Sequence, residues 1–180
     1  RISEILGLTW DAVDFTAGSI LVSKQLVRQR EKGGAFYLDS TKTDKARKIK
    51  PAPVVMDKLR ERKRQQTEWQ LKAGPAWSNE WGLVFADELG HHLMQQTVYK
   101  NYKRIVAAIG QPGLRLHDLR HSYAVISIMS GDDVKTVQEN LGHSTIATSL
   151  YVYGHVTEKM REDSAQRMQL YIDSLKLSKA

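Results

Sequence analysis

The stretch HDLRHSYAVISIMSGDDVKTVQENLGHS, residues 117–144, decides the fold prediction for this chain. Apolar residues recur at helical spacing on both sides of Gly131, and Gly142 follows the last of them. Because glycine commonly stands just after the last turn of a helix, the pattern predicts one helix from His117 to Met129 and a shorter one from Asp132 to Leu141. Imidazole and guanidinium side chains stand where the first helix begins, and another imidazole follows the second helix.

Further helices are predicted on both sides of this stretch. Residues 54–72 predict a charged, exposed helix that ends before Gly74-Pro75, and residues 96–109 predict an amphipathic one. A last amphipathic helix is predicted from Thr157 onward. The residues expected to form the buried stripe of the charged helix are Val55, Leu59 and Trp69.

The first fifty residues predict strands instead. Residues 19–24, 35–38 and 47–50 have short strand-like patterns, and Thr41 to Lys45 is expected to form a hairpin tip between the second and the third. The predicted fold class is therefore α+β, mainly α-helical with a small three-stranded antiparallel sheet.

Composition excludes several classes of protein. The 180 residues contain no cysteine, which excludes disulfide scaffolds, thiolate metal sites and cysteine nucleophiles and is compatible with a reducing cytoplasm. The longest uncharged apolar run, residues 124–129, is far shorter than the roughly 18 residues of a membrane span. The chain begins with Arg1 and carries no signal-peptide pattern, so we expect it to be a fragment.

The positive charge is concentrated in one segment. Residues 24–64 hold 14 Lys or Arg and 5 Asp or Glu, a net charge of +9, whereas the rest of the chain has a net charge of −2. Such a segment attracts a polyanion through counterion release. A solubilising surface helix is the alternative interpretation. The residues that we expect to contact DNA are Arg60, Arg62, Lys63 and Arg64.

The remaining reactive side chains are typical of one reaction. Displacement at a phosphodiester places extra negative charge on the non-bridging oxygens, which guanidinium groups bind bidentately. A tyrosine hydroxyl can attack the phosphorus, and a lysine on a hairpin can protonate the departing sugar oxygen. Two arginines can replace the charge neutralisation that Mg²⁺ performs elsewhere.

These residues, in this order, resemble the catalytic domain of the tyrosine recombinases, the phage and transposon integrase group. The resemblance extends from residue 1 to about residue 156. The matching motifs are Arg1-Ile-Ser-Glu4, Ser40-Thr-Lys42-Thr followed by Arg47-Lys-Ile, His117-Asp-Leu-Arg120-His-Ser, Leu141-Gly-His143-Ser and Thr148-Ser-Leu-Tyr-Val-Tyr153-Gly-His155-Val.

The resemblance implies the role of each site residue. Arg1 and Arg120 would clamp the scissile phosphate, and Tyr153 would attack it to leave a 3′-phosphotyrosine and a 5′-hydroxyl. Lys42 would be the general acid. The supporting residues would be His117 as acid or base, His143 as a donor to a phosphate oxygen and Glu4 as a residue that orients the active-site groups.

The resemblance also implies the fold, the partners and the setting. The fold would be that of DNA breaking-rejoining enzymes, with residues 1–156 as catalytic domain and residues 157–180 as a tail helix. The family needs no metal and no other cofactor. It would act on specific double-stranded DNA sites as a homotetramer, with an accessory directionality factor, in the bacterial host cytoplasm. We expect the tail to contact a neighbouring protomer, with packing on its own core as the alternative.

Several residues compete for these roles. Lys45 and Lys48 compete with Lys42, and Tyr151 competes with Tyr153. His117 and His121 are four residues apart and could share a zinc ion, although Asp118 stands where the His-Glu-x-x-His pattern requires glutamate. His91-His92 is expected to lie on the surface.

Two other classes of function compete with the recombinase prediction. The helices on either side of Gly131 could form a helix-turn-helix in a non-catalytic DNA-binding module. That alternative explains the basic segment but not the collected arginine, histidine, lysine and tyrosine residues. A metal-dependent nuclease would require clustered carboxylates, whereas the acidic residues here are scattered.

Overall fold

Helices dominate the fold, and small antiparallel sheets stand near its amino-terminal end. The computed structural model describes residues 1–29, 34–40, 46–142, 164–166 and 168–170. It divides into two units, Arg1–Arg115 and Leu116–Ala180. The predicted class, α+β with a helical majority, is confirmed.

Two sheets form in the first unit. Strands β1 (Val13–Asp14), β2 (Ser19–Val22) and β5 (Arg47–Ile49) make a three-stranded antiparallel sheet in the order β1-β2-β5. Strands β3 (Lys24–Arg28) and β4 (Phe36–Ser40) pair separately as an antiparallel hairpin.

The expected pairing of the strands was wrong in one respect. The segment around residues 35–38 was expected to pair with residues 47–50, but β4 pairs with β3 and β5 pairs with β2. Strand β3 was not expected, because KQLVR has charged or polar residues at three of its five positions. Its burial comes from tertiary contact: Leu26 is 2% exposed, and β3 packs on the first helix.

The described residues of the first unit also form three α-helices: α1 (Ile2–Leu6), α2 (Pro53–Ala73) and α3 (Gln95–Ala108). The last two confirm the predicted helices to within one residue at each end. Pro53 suits the first turn of α2, where a backbone N–H has no helical partner, and Gly74 follows its last residue. Beneath α2 lies a core that includes Val13, Ile20, Met56, Leu59 and Val84.

The inner face of α2 differs from the predicted stripe. Met56 and Leu59 are buried, whereas Val55 is 42% exposed. The face also contains a polar residue, Gln66, which is 5% exposed. Its amide accepts from Trp10 Nε1 at 2.8 Å and donates to the Val84 carbonyl at 2.7 Å, so the buried group has its partners.

The second unit contains α4 (Asp118–Met129) and α5 (Val134–Leu141). Both confirm predicted helices, although α5 begins two residues later than expected because Asp133 caps it by accepting from the Thr136 backbone N–H at 2.9 Å. Gly142 ends α5 with φ +62° and ψ +44°. The two helices pack through Ala124, Ile128, Val137 and Leu141.

Little of the predicted tail helix is described. Residues 164–166 and 168–170 are helical, and Met168 and Leu170 are 60% and 66% exposed. The other tail residues expected to form an apolar stripe, Met160, Ile172 and Leu175, lie outside the described residues. In the part of the chain that the structure describes, no helix combines the length and the apolar character needed to cross a membrane.

Candidate active site

Two arginine side chains of the first unit bind one carboxylate. Arg1 Nη1 lies 2.8 Å from Glu4 Oε1, and Arg47 binds the same carboxylate with both arms of its guanidinium, Nη1 to Oε1 at 3.2 Å and Nη2 to Oε2 at 2.6 Å. The side chain of Glu4 is only 3% exposed. A carboxylate buried to this degree requires paired charges and hydrogen bonds, and the two arginines supply both.

The surroundings of Glu4 keep it ionised. Burial by itself raises the pKa of its carboxyl, but a hydrogen bond from Arg47 outweighs that effect together with the nearby charges of the amino terminus and Arg47 and the hydrogen bond from Arg1. The pKa of Glu4 is therefore lowered to about 2. The group carries its negative charge throughout the neutral pH range.

Backbone packing fixes the helix that carries Arg1 and Glu4. Helix α1 ends at Gly7, where a Cβ would lie 2.6 Å from the Leu26 backbone nitrogen and 2.7 Å from Gln25 backbone atoms of β3. Only the absence of a side chain allows this close approach. Arg47 lies opposite Val22 in the register of β2 and β5. The carboxylate thus joins α1 to a strand of the three-stranded sheet.

Arg47 stands in one of the matching motifs, but no role was expected for it from the sequence. Glu4 and Arg47 are 43 residues apart, and no local pattern connects them. The burial of Glu4, which only the structure shows, is what requires a cationic partner from elsewhere in the chain.

The second unit holds His117 and Arg120 where α4 begins. His117 immediately precedes the helix, and its carbonyl accepts from the Arg120 backbone N–H at 3.0 Å. Arg120 Nη2 donates to the carbonyl of Leu141, the last residue of α5. The guanidinium of Arg120 is thereby tied to the end of α5, next to Gly142.

A side-chain contact also joins the two helices of the second unit. Asn140 Nδ2 donates to the Tyr123 hydroxyl oxygen at 3.2 Å. This hydrogen bond and the apolar contacts between α4 and α5 hold the carbonyl of Leu141 in place relative to Arg120.

The two histidines considered as a zinc pair contact each other through their rings. The rings of His117 and His121 meet edge to face, with centroids 5.1 Å apart. Among the residues that the structure describes, no three His, Cys, Asp or Glu side chains cluster closely enough to hold a metal ion.

Three predicted site residues lie outside the described residues: Lys42, His143 and Tyr153. The same is true of two competitors, Lys45 and Tyr151, whereas the third, Lys48, lies in β5. The structure brings Arg1 together with Glu4 in one unit and His117 together with Arg120 in the other.

The four basic residues expected to contact DNA differ in their surroundings. Arg60 lies over the ring of Phe15 and Lys63 over the ring of Trp10, and Arg60, Lys63 and Arg64 are all exposed. Arg62 instead donates to the Val84 and Ala86 carbonyls, and burial lowers the pKa of its guanidinium. Its contact with DNA stays a prediction, but its observed partners belong to its own fold.

The histidine pair that we expected on the surface is divided. His91 is exposed and its Nδ1 lies 3.5 Å from Asp87 Oδ2. His92 is partly buried against Phe36, with ring centroids 4.3 Å apart. Burial and the charge of His91 lower the pKa of His92, whereas Asp87 raises it. His92 therefore contributes to local packing, whereas His91 faces solvent.

Comparison with known proteins gives matches over most of the chain. The tyrosine recombinase XerC-like protein of Caldanaerobacter subterraneus subsp. tengcongensis is 33% identical over 177 residues, which cover 93% of this chain and 45% of the relative. The chain spans about half the length of the curated relatives it matches.

Two solved structures, an integrase and a recombinase, have a fold similar to that of this chain. The Tn1549 transposon integrase, in complex with circular intermediate DNA, matches with a TM-score of 0.70 and 25% identity, covering 93% of this chain and 55% of that one. The XerH site-specific recombinase, bound to difH substrate in a pre-cleavage complex, matches with a TM-score of 0.58 and 25% identity, covering 92% of this chain and 42% of that one.

The family model described as the phage integrase family matches residues 1–160. That range contains the candidate site residues described in each unit, from Arg1 to Arg120. The match does not favour the alternative of a non-catalytic DNA-binding module. This chain therefore belongs to the phage integrase family.

Proposed function

We propose that the protein containing this chain is a site-specific DNA recombinase that cuts and rejoins strands through a 3′-phosphotyrosine. The observation that carries the proposal is the family match over residues 1–160, because that range contains every residue to which we give a chemical role. The proposed catalytic domain is residues 1–156.

The reaction exchanges one phosphoester bond for another. The Tyr153 hydroxyl oxygen attacks the scissile phosphorus, and its proton passes to a nearby base. A bond forms between phosphorus and the tyrosine oxygen, and the bond from phosphorus to the 5′ oxygen breaks. Lys42 protonates the departing 5′ oxygen. Because a phosphoester remains, a 5′-hydroxyl can reverse the step without external energy.

Arg1 and Arg120 bind the non-bridging oxygens in this proposal. Guanidinium groups keep their charge at any physiological pH and bind phosphate oxygens in a bidentate manner. The contacts of Glu4 with Arg1 and of Leu141 with Arg120 support the assignment, because each restrains a long side chain before substrate arrives. His117 assists proton transfer, and His143 donates to a phosphate oxygen.

The two arginines remove the need for a metal ion in the proposed mechanism. Their charges oppose the negative charge that develops in the transition state, a role that Mg²⁺ plays in other phosphoryl-transfer enzymes. We therefore expect strand cleavage to proceed without any cofactor, in the presence of EDTA.

Double-stranded DNA is the proposed partner. Two relatives of this chain, the Tn1549 integrase and XerH, have been solved with DNA. In this chain α2 carries three exposed basic residues, Arg60, Lys63 and Arg64. Assembly as a homotetramer through the tail from residue 157, response to an accessory directionality factor and action on DNA in the cytoplasm complete the proposal.

The nucleophile can be tested with a suicide DNA substrate, nicked so that the cleaved strand cannot be rejoined. In the intact protein, Tyr153→Phe should abolish the covalent protein–DNA adduct in EDTA while DNA binding survives, because only the attacking oxygen is removed. Tyr151→Phe is the matched control and should keep forming the adduct. An adduct that persists in Tyr153→Phe but disappears in Tyr151→Phe would give the role to Tyr151.

The DNA-contacting surface can be tested by the salt dependence of binding. Replacing Arg60, Lys63 and Arg64 with Gln should lower the slope of log K against log[salt] by about 0.9 for each phosphate that the protein no longer neutralises. Arg62→Gln is tested separately: loss of a DNA contact should lower the slope by about 0.9, whereas loss of its contacts with the Val84 and Ala86 carbonyls should lower only the stability of the protein. An unchanged slope in the triple variant would show that these three residues of α2 are only solvated surface.

A further inference from the structure

Arg47 and Arg1 share the carboxylate of Glu4 unequally. Arg47 contacts both oxygens, at 2.6 Å and 3.2 Å, whereas the side chain of Arg1 contacts Oε1 at 2.8 Å. A bidentate contact between guanidinium and carboxylate fixes the plane of the carboxylate as well as its position. The direction in which Glu4 holds the Arg1 guanidinium therefore depends on Arg47.

The exposed fraction of the side chain increases from Glu4 through Arg47 to Arg1. The side chain of Glu4 is 3% exposed, that of Arg47 is 16% and that of Arg1 is 33%. Arg1 is thus the member most accessible to an incoming phosphate. Arg47 is less exposed than Arg1 and lies on strand β5, which is hydrogen-bonded to β2.

The charge of the group also depends on Arg47. Glu4 is ionised, so the side chains of Arg1 and Glu4 alone would form a pair with no net charge. Arg47 brings the net charge of the three side chains to +1. A guanidinium whose charge is cancelled by its own carboxylate attracts a phosphate less strongly than one in a group with net positive charge.

We propose that Arg47 is a positioning residue for DNA strand cleavage: it holds Glu4 and offsets its charge, so that Arg1 meets the scissile phosphate in a fixed direction and with net positive charge. The inference rests on the proposed function, in which Arg1 binds that phosphate. Arg47 itself acts through Glu4 and Arg1.

The test compares two substrates in the intact protein. One suicide substrate has a normal scissile phosphate, and the other has a methylphosphonate there, in which a neutral methyl group replaces a charged oxygen. Arg47→Ala should cleave the phosphate substrate at saturating DNA up to about 100-fold more slowly, because a displacement of about 1 Å in a group that positions the substrate can cost that much in rate. The methylphosphonate substrate, with less charge to neutralise, should show a much smaller decrease in rate.

A conservative variant of Arg47 separates its effect on the orientation of Arg1 from its effect on the net charge of the group. Arg47→Lys keeps a cation beside Glu4 but removes the bidentate contact. We therefore expect a cleavage rate between those of Arg47→Ala and the unchanged protein. DNA affinity should change much less than the cleavage rate in both variants, because the scissile phosphate is one of many phosphates that contribute to binding.

A structural control is provided by Gln66, which is buried in the same unit away from the charged group. Gln66→Ala should lower the unfolding temperature, yet leave the ratio of the two cleavage rates unchanged. Equal decreases on both substrates in Arg47→Ala, or a failure of both Arg47 variants to fold, would overturn the inference, because Arg47 would then serve the fold alone.

Two further variants distinguish this inference from the proposed function. Arg1→Ala should show the same preference for the methylphosphonate, and Tyr153→Phe should cleave neither substrate. Normal cleavage by Arg47→Ala beside an inactive Arg1→Ala would overturn only the role of Arg47. Cleavage that persists in both Tyr153→Phe and Tyr151→Phe would overturn the proposed function itself.

Discussion

The two arginines proposed to bind the phosphate are held in different ways. In the first unit, Arg1 donates to a buried carboxylate, Glu4, which Arg47 also binds. In the second unit, Arg120 donates to a backbone carbonyl, that of Leu141 at the end of α5. One arginine depends on a charged side chain, and the other depends on where a helix ends.

This difference determines how each arginine can be disturbed. A single substitution removes the partner of Arg1, because the partner is the side chain of Glu4. No side-chain substitution removes the Leu141 carbonyl, so Arg120 can be reached only through the packing or the termination of α5. The first unit should therefore be sensitive to charge and pH, and the second to core volume and backbone conformation.

Glu4→Ala should have the largest effect. It leaves Arg47, 16% exposed, without the carboxylate that it binds with both arms. Removing one member of a buried ion pair costs about 3–5 kcal/mol of unfolding free energy, measured here by urea denaturation. Asp57→Ala is the matched control, because it breaks the exposed pair of Asp57 with Arg60 and should cost less than about 1 kcal/mol. Equal costs in both would contradict the special status of Glu4.

The pH dependence of stability should be the second largest effect. The pKa of Glu4 falls from 4.5 to about 2 on folding, so its contribution is complete above pH 4.5 and is lost as the pH falls through about 2. The loss is on the order of 3 kcal/mol. It is measured as the difference in unfolding free energy between the unchanged protein and Glu4→Gln. A difference that stays constant from pH 5 to pH 2.5 would contradict the assignment.

Leu141→Ala should have the third largest effect on the unfolding free energy. Leu141 is 8% exposed in the small core between α4 and α5, and its truncation should cost about 2–3 kcal/mol, the lower part of the range for buried leucines. Because the carbonyl that Arg120 binds remains, the cost should be nearly independent of pH between 5 and 2.5. If the loss of unfolding free energy in Leu141→Ala depended on pH as it does in Glu4→Gln, the two units would not differ in their sensitivity to charge.

Gly142→Ala should have the smallest effect. Gly142 has φ +62°, a backbone conformation that costs a residue with a side chain about 1 kcal/mol. Gly113→Ala is the control, because a Cβ there meets no atom within 4 Å and φ is not positive. Thermal unfolding of both variants measures the difference. A neutral Gly142→Ala would show that α5 ends equally well without glycine.

The sequence by itself determined the helices and the order of the reactive residues. Helices α2 to α5 follow from signals that act within a few residues: Pro53 and Gly74 around α2, and Gly142 after α5. The motifs from Arg1 to Arg120 likewise lie within short stretches of chain. Such signals can be read in a sequence because the interactions behind them are local.

Only the tertiary structure decided the pairing of the strands, the partners of the arginines and the burial of Arg62. Strand β5 pairs with β2 rather than with β4, Arg47 reaches Glu4 across 43 residues, and Arg62 binds the carbonyls of Val84 and Ala86. In each case the partner is distant in sequence. Burial gives these contacts their strength, and burial is a property of the packed chain rather than of any segment.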